Sequence, residues 1–178
     1  CIIVMYSPDL VVRGNRVAHA LTAGGGGIVF KESDDALVEN NEIVHCSVGL
    51  QVDAPPQPVG VLMARGNRFA HNVIGAFFYG ESGGHRFLDN RFENNLTQIG
   101  VSAPGAGSAN IWKGNYWSNY QGFDRDGDGT GDTPHEDWLF ADRIWMETPK
   151  AGFFRESPVL ELLDFLERLA PFSTPHLI

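Results

Sequence analysis

The fold class the sequence predicts is all-β, a right-handed parallel β-helix with a C-terminal loop and a partly helical tail. Three observations carry it. Five segments align: VVRGNRVAHA, LVENNEIVHC, LMARGNRFAH, FLDNRFENN and IWKGNYWSNY. Each sets an Asn, at positions 15, 41, 67, 90 and 115, after a short apolar strand, with an apolar or aromatic residue two places on. A further strand follows most of them: GIVF at 27–30, GLQV at 49–52, GAFF at 75–78 and IGV at 99–101. The 21 glycines and the many asparagines favour turn-rich β structure over a helix bundle. Two or three strands of a few residues per repeat cannot build an α-solenoid; each repeat is one coil, stacked about 4.8 Å above the last.

The elements follow in chain order. IIVMY at the start is an apolar strand; with no Met, n-region or signal peptide before it, the chain reads as a fragment of a longer protein. Within the coils, Val17, Ile43, Phe69, Phe92 and Trp117 are expected to point inward and stack into one core. The Asn column is expected at bends, where Asn tolerates left-handed backbone and its amide can bond to the Asn above and below. Four residues after each Asn stand His19, His45, His71, Asn94 and Asn119. This column reads as a solvent-facing turn position, and three imidazoles in register also make a candidate Zn or Cu set. The coils are expected over residues 1–120, and a loop and tail over 121–178. In the tail, Val159, Leu162, Leu163, Leu166 and Leu169 recur at helical spacing, with Ser157 as N-cap, Pro158 at the first helical position and Pro171 at the end. Leu160 and Phe165 widen its apolar face, which either caps the coil or docks on a partner.

Between coil and tail lies DRDGDGTGDTPH. With Asp124 as the first position, Asp126 and Asp128 fall at the third and fifth, Gly129 at the sharp turn, Thr130 at the seventh and Asp132 at the ninth. That is the alternation of hard oxygens in a calcium loop, without the helix before it. The twelfth position is His135 in place of the bidentate Glu, with Glu136 or Asp137 as substitutes. Clustered carboxylates repel one another, which favours a structural Ca2+ or similar hard cation. A cation saturated by protein oxygens would leave no open position for catalysis.

Several function classes are disfavoured. The net charge of −9 argues against a nucleic-acid surface. No run of about 18 apolar residues is present to span a membrane as a helix. Cys1 and Cys46 permit one disulfide but no disulfide framework. No nucleophile elbow, zinc-protease helix or phosphate loop occurs, and GGGG at 24–27 precedes no helix. An enzyme acting on polysaccharide (a lyase or epimerase) remains the alternative, with Glu32, Asp53, Glu81 and His85 as outward polar groups at the second bends.

GNYWSNYQGFDRDGDGTGDTP, then ADRIWM, then SPVLELLDFLERLAPFSTP together resemble the C-terminal part of the NosD family. The resemblance covers essentially all 178 residues, with the tail its most specific piece. It implies a non-enzymatic periplasmic accessory factor of nitrous oxide reductase maturation, working with an ABC transporter of NosF and NosY subunits and with the copper chaperone NosL. On that reading the tail face, Val159 to Leu169, is a candidate for docking on the transporter. Copper handled in transit would call on His and Met: Met5, Met63, Met146, His19, His45, His71, His135 and His176. The resemblance maps no copper site onto any of them, and the aspartate loop is too hard a site to carry copper.

Overall fold

In a computed structural model the chain forms three parallel sheets that share one core. The structure describes residues 1–22, 25–33, 35–53, 60–80, 83–102, 109–137 and 176–177. The first sheet stacks β1 (Ile2–Met5), β4 (Gly26–Lys31), β7 (Val48–Asp53), β10 (Ile74–Tyr79) and β13 (Thr97–Val101). The second stacks β2 (Val11–Arg13), β5 (Leu37–Glu39), β8 (Met63–Arg65), β11 (Arg86–Leu88) and β14 (Ile111–Lys113). The third stacks β3 (Arg16–Ala18), β6 (Glu42–Val44), β9 (Arg68–Ala70), β12 (Arg91–Glu93) and β15 (Tyr116–Trp117). Each sheet takes every third strand, so the chain winds around the core as a parallel β-solenoid.

Short strands suffice because every strand inside the stack is paired above and below. The expected inward column is realised residue for residue. Val17, Ile43, Phe69, Phe92 and Trp117 are direct register partners across the third sheet, and all are buried. The second sheet has a parallel column of Val12, Val38, Ala64, Phe87 and Trp112. Their rings stack face to face, Phe69 on Phe92 at 4.9 Å, Phe92 on Trp117 at 4.5 Å and Phe87 on Trp112 at 4.4 Å. Each buried large side chain contributes about 1.5–3 kcal/mol relative to exposure.

The Asn column is a hydrogen-bonded ladder. The Asn41 Oδ1 accepts from the Asn15 backbone N–H at 2.9 Å and from its Nδ2 at 3.0 Å. The Asn41 Nδ2 in turn donates to Asn67 Oδ1 at 3.0 Å and to the Val12 carbonyl at 2.9 Å. The same pattern continues through Asn67, Asn90 and Asn115, so every buried amide is satisfied as burial demands. One expectation is corrected: the left-handed residue is not the ladder Asn but the one before it, Gly14, Asn40, Gly66, Asp89 and Gly114, with φ between 53° and 67°. That residue turns the corner; the Asn after it is free to aim its amide along the stack.

A second ladder went unread in the sequence. The Asn72 Oδ1 accepts from the Cys46 N–H at 2.9 Å, and the Asn95 Oδ1 accepts from the Asn72 N–H and Nδ2, each at 3.0 Å. Beside it run Gly27, Gly49 and Gly75. A Cβ on Gly27 would meet the Gly49 carbonyl at 2.9 Å, and one on Gly75 the Gln98 carbonyl at 2.6 Å, so backbone from the next coil fills the place of a side chain.

The chain divides into two compact units, Cys1–His135 and Glu136–Leu177. In the second, Glu136–Asp137 (β16) pair antiparallel with His176–Leu177 (β17). The amphipathic segment with Val159, Leu162, Leu163, Leu166 and Leu169 lies outside the described residues. Among the described residues there is no helix.

Candidate metal-handling sites

Two groups of side chains have metal-binding chemistry, and the solenoid positions them differently. The first sits where the chain leaves the last coil. Tyr120 anchors this segment, its Oη donating to the Thr133 carbonyl at 2.7 Å, and the Asp132 N–H closes it onto the Phe123 carbonyl at 2.9 Å. Asp124, Asp126 and Asp128 present carboxylate oxygens within 4.8 Å of one another, all exposed, the only such His, Cys, Asp or Glu group among the described residues. Asp124 draws in the loop around itself, accepting from Gly127 N–H at 2.7 Å and Gly129 N–H at 2.9 Å. These amides, Gly129 first, hold its carboxyl below the usual range. Gly127 and Gly129 take left-handed φ of 73° and 85°, the conformation that lets the backbone fold back onto the carboxylates. Asp128 Oδ1 takes the Thr130 N–H at 2.7 Å. Asp132 stands apart from the cluster, its Oδ2 occupied by the Arg125 N–H at 2.7 Å.

His135, the twelfth position of this loop, turns inward. It is 5% exposed and stacks on Trp117 at 4.7 Å with an interplanar angle of 16°. The imidazole thus ends the aromatic column begun by Phe69. Burial pushes its pKa down to about 4, and its Nε2 has no hydrogen-bond partner. The loop is therefore not closed by this side chain; it is tied to the core by it.

The second group is the imidazole column. His19, His45 and His71 are exposed, each with left-handed φ, 61°, 54° and 55°. Their rings stack at centroid distances of 5.3 Å per step, with interplanar angles of 4° and 12°. The three rings form a straight ladder and do not converge, so no single ion can touch all three. Asn94 occupies the same turn conformation in the next coil, φ 50°, and Asn119 leaves it. Met5 and Met63 lie on β1 and β8, in different sheets from each other, and Met146 falls outside the described residues.

The outward faces of the second and third sheets carry ion-pair columns. Glu39 is 3% exposed and lies between Arg13 and Arg65, the latter at 2.6 Å. Arg16, Glu42, Arg68, Glu93 and Arg91 link in one run at 2.7–2.8 Å. The guanidinium hydrogen bonds hold Glu39, Glu42 and Glu93 below the usual carboxylate range. These carboxylates are committed to their arginines. His85, expected outward, is 4% exposed: its Nδ1 accepts from the Leu62 N–H at 3.1 Å and its ring packs beside Phe78 at 6.5 Å. Glu81 lies outside the described residues, and Asp53 pairs in register with Lys31 and Tyr79.

Known proteins place the coil. A protein from Pseudomonas aeruginosa described as a probable ABC transporter binding protein NosD is 36% identical over 110 residues, 60% of this chain and 25% of that protein. A protein of the same description from Stutzerimonas stutzeri is 31% identical over 106 residues, 59% of this chain and 24% of that protein. The aligned stretch thus spans about a quarter of the length of these relatives. The family described as periplasmic copper-binding protein (NosD) matches residues 1–122, the whole solenoid as far as the start of the aspartate loop. On that match, and on the parallel coil it covers, the chain belongs to the NosD family of periplasmic copper-binding proteins.

Proposed function

We propose that this chain serves as a periplasmic accessory scaffold in copper-centre maturation of nitrous oxide reductase, acting with an ABC transporter of NosF- and NosY-like subunits and a NosL-like copper chaperone. The observation that carries the reading is the family match across residues 1–122, joined to a coil whose second and third sheets carry columns of paired Arg and Glu. Such a coil suits a platform on which partners are held. The relatives' description as transporter-binding proteins gives the partner class. The wide apolar face of Val159, Leu162, Leu163, Leu166 and Leu169 is the proposed docking element for the transporter's membrane part. The aspartate loop is proposed to hold a structural Ca2+ through Asp124, Asp126 and Asp128, with the Thr130 carbonyl and, through a water, the more distant Asp132 completing the set.

The test is capture of a detergent-solubilised NosFY-type transporter by the full chain and by a chain ending at residue 156. The reading predicts capture by the first and none by the second, with the coil's circular dichroism unchanged. Equal capture by both would remove the tail from the interface.

A further inference from the structure

The His19–His45–His71 ladder has a consequence that follows from its geometry. The three imidazoles lie parallel, 5.3 Å apart centroid to centroid, on the exposed corner between the third and first sheets. The three side chains are exposed, and no described hydrogen bond engages their ring nitrogens. The turn itself does not demand imidazole, since Asn94 meets the same left-handed conformation in the next coil. Cys46, next in the chain after His45, is no part of the group: its thiol is buried and donates to the Val44 carbonyl at 3.3 Å.

We infer that copper is held here between two neighbouring imidazoles, and that His45 is shared by two alternative, mutually exclusive positions, His19/His45 and His45/His71. Imidazole nitrogen suits copper, and a nitrogen–metal bond of about 2 Å gives a nitrogen–nitrogen span of about 4 Å across a two-coordinate ion. In the stack the nitrogen lone pairs lie in the ring planes and run side by side, so two neighbouring rings must turn about their side-chain torsions to face one ion, which their exposure permits. His19 and His71 cannot share an ion, because they stand two steps apart with His45 between them. An ion on this ladder can pass from one pair to the next without leaving the middle ring, so the ladder works as a two-position track along the coil axis. The identity of the cargo rests on the copper-handling reading; the pairing rests on which imidazoles are neighbours in the column.

The experiment titrates the full chain, in a Cys1→Ser background and with excess Ca2+ to occupy the aspartate loop, with Cu(I) under anaerobic conditions and with Cu(II). A chromophoric chelator competes for the metal, and electron paramagnetic resonance counts nitrogen ligands on Cu(II). Replacement by Asn keeps the turn conformation, so the variants are H19N, H45N and H71N. The expected result is one copper per chain with two nitrogen ligands. H19N and H71N each lose one of two equivalent positions and weaken binding about twofold, whereas H45N leaves only single-imidazole binding, a loss on the order of 100-fold. Wild-type affinity in H45N would overturn the inference, as would losses in H19N or H71N as large as in H45N. Circular dichroism of each variant checks that the coil is intact. Transporter capture is independent of this titration: no copper on the ladder with capture preserved defeats the track and leaves the scaffold, and the converse result does the reverse.

Discussion

At Asn67 one side-chain amide, 1% exposed, makes four hydrogen bonds across three coils. It accepts from the Asn41 N–H and Nδ2 and donates to the Val38 carbonyl and Asn90 Oδ1. Asn67→Ala strands two buried donors and one acceptor, which costs about 3 kcal/mol and lowers Tm by about 10 °C in a chain of this size. Asn15→Ala, on the half-buried outermost rung, costs about 1 kcal/mol by the same reasoning. Thermal denaturation of the two variants checks the order, and equal losses would contradict the ladder's energetic role. His135 gives a second prediction at this scale. Its folded pKa of about 4 lies below the ordinary 6.5, so the unfolded chain takes up the proton first. Stability is therefore full above about pH 6.5 and falls as the pH drops toward 4, by on the order of 2 kcal/mol once residual screening by solvent is allowed for. His135→Phe keeps the ring on Trp117 and removes this component; urea midpoints at pH 7 and pH 4.5 read the difference.

Among the elements, the strands and the inward column were legible because the repeat sets the register, and Val17, Ile43, Phe69, Phe92 and Trp117 occur at its spacing. The left-handed corner was displaced by one residue, because Asn and Gly adjoin in GN and both favour turns; only the hydrogen bonding separates their tasks. The second Asn ladder was hidden because its column reads Ala20, Cys46, Asn72 and Asn95, with too few amides to look periodic. His85 was misassigned to the outside because its side follows from a corner of irregular length, not from strand alternation. The aspartate loop was legible as a cluster, and Asp124, Asp126 and Asp128 do meet, but the inward turn of His135 depends on the flat face of Trp117, which no local pattern announces. For this element, Asp126→Asn with Asp128→Asn is expected to lower the melting temperature by a few degrees in Ca2+ and by nothing resolvable in chelator. Equal melting of variant and parent in both media would remove the cation from the account.

The whole molecule combines a rigid coil, stabilised along its axis by stacked rings, amide ladders and ion-pair columns, with a second unit whose amphipathic segment is proposed to meet the membrane partner. Over residues 1–120 the acidic and basic side chains nearly balance, many of them in ion pairs, so most of the net charge of −9 lies in the loop and tail that follow. The family was legible in the sequence, and so was the column of His19, His45 and His71, but the stacking of their rings at 5.3 Å is defined only by the folded register. The most direct measurement is the copper content of nitrous oxide reductase purified from a strain in which the gene for this chain is disrupted. The account predicts a reductase that folds and is exported yet lacks copper, restored by the intact gene. A reductase with its full copper content in the disrupted strain would contradict it.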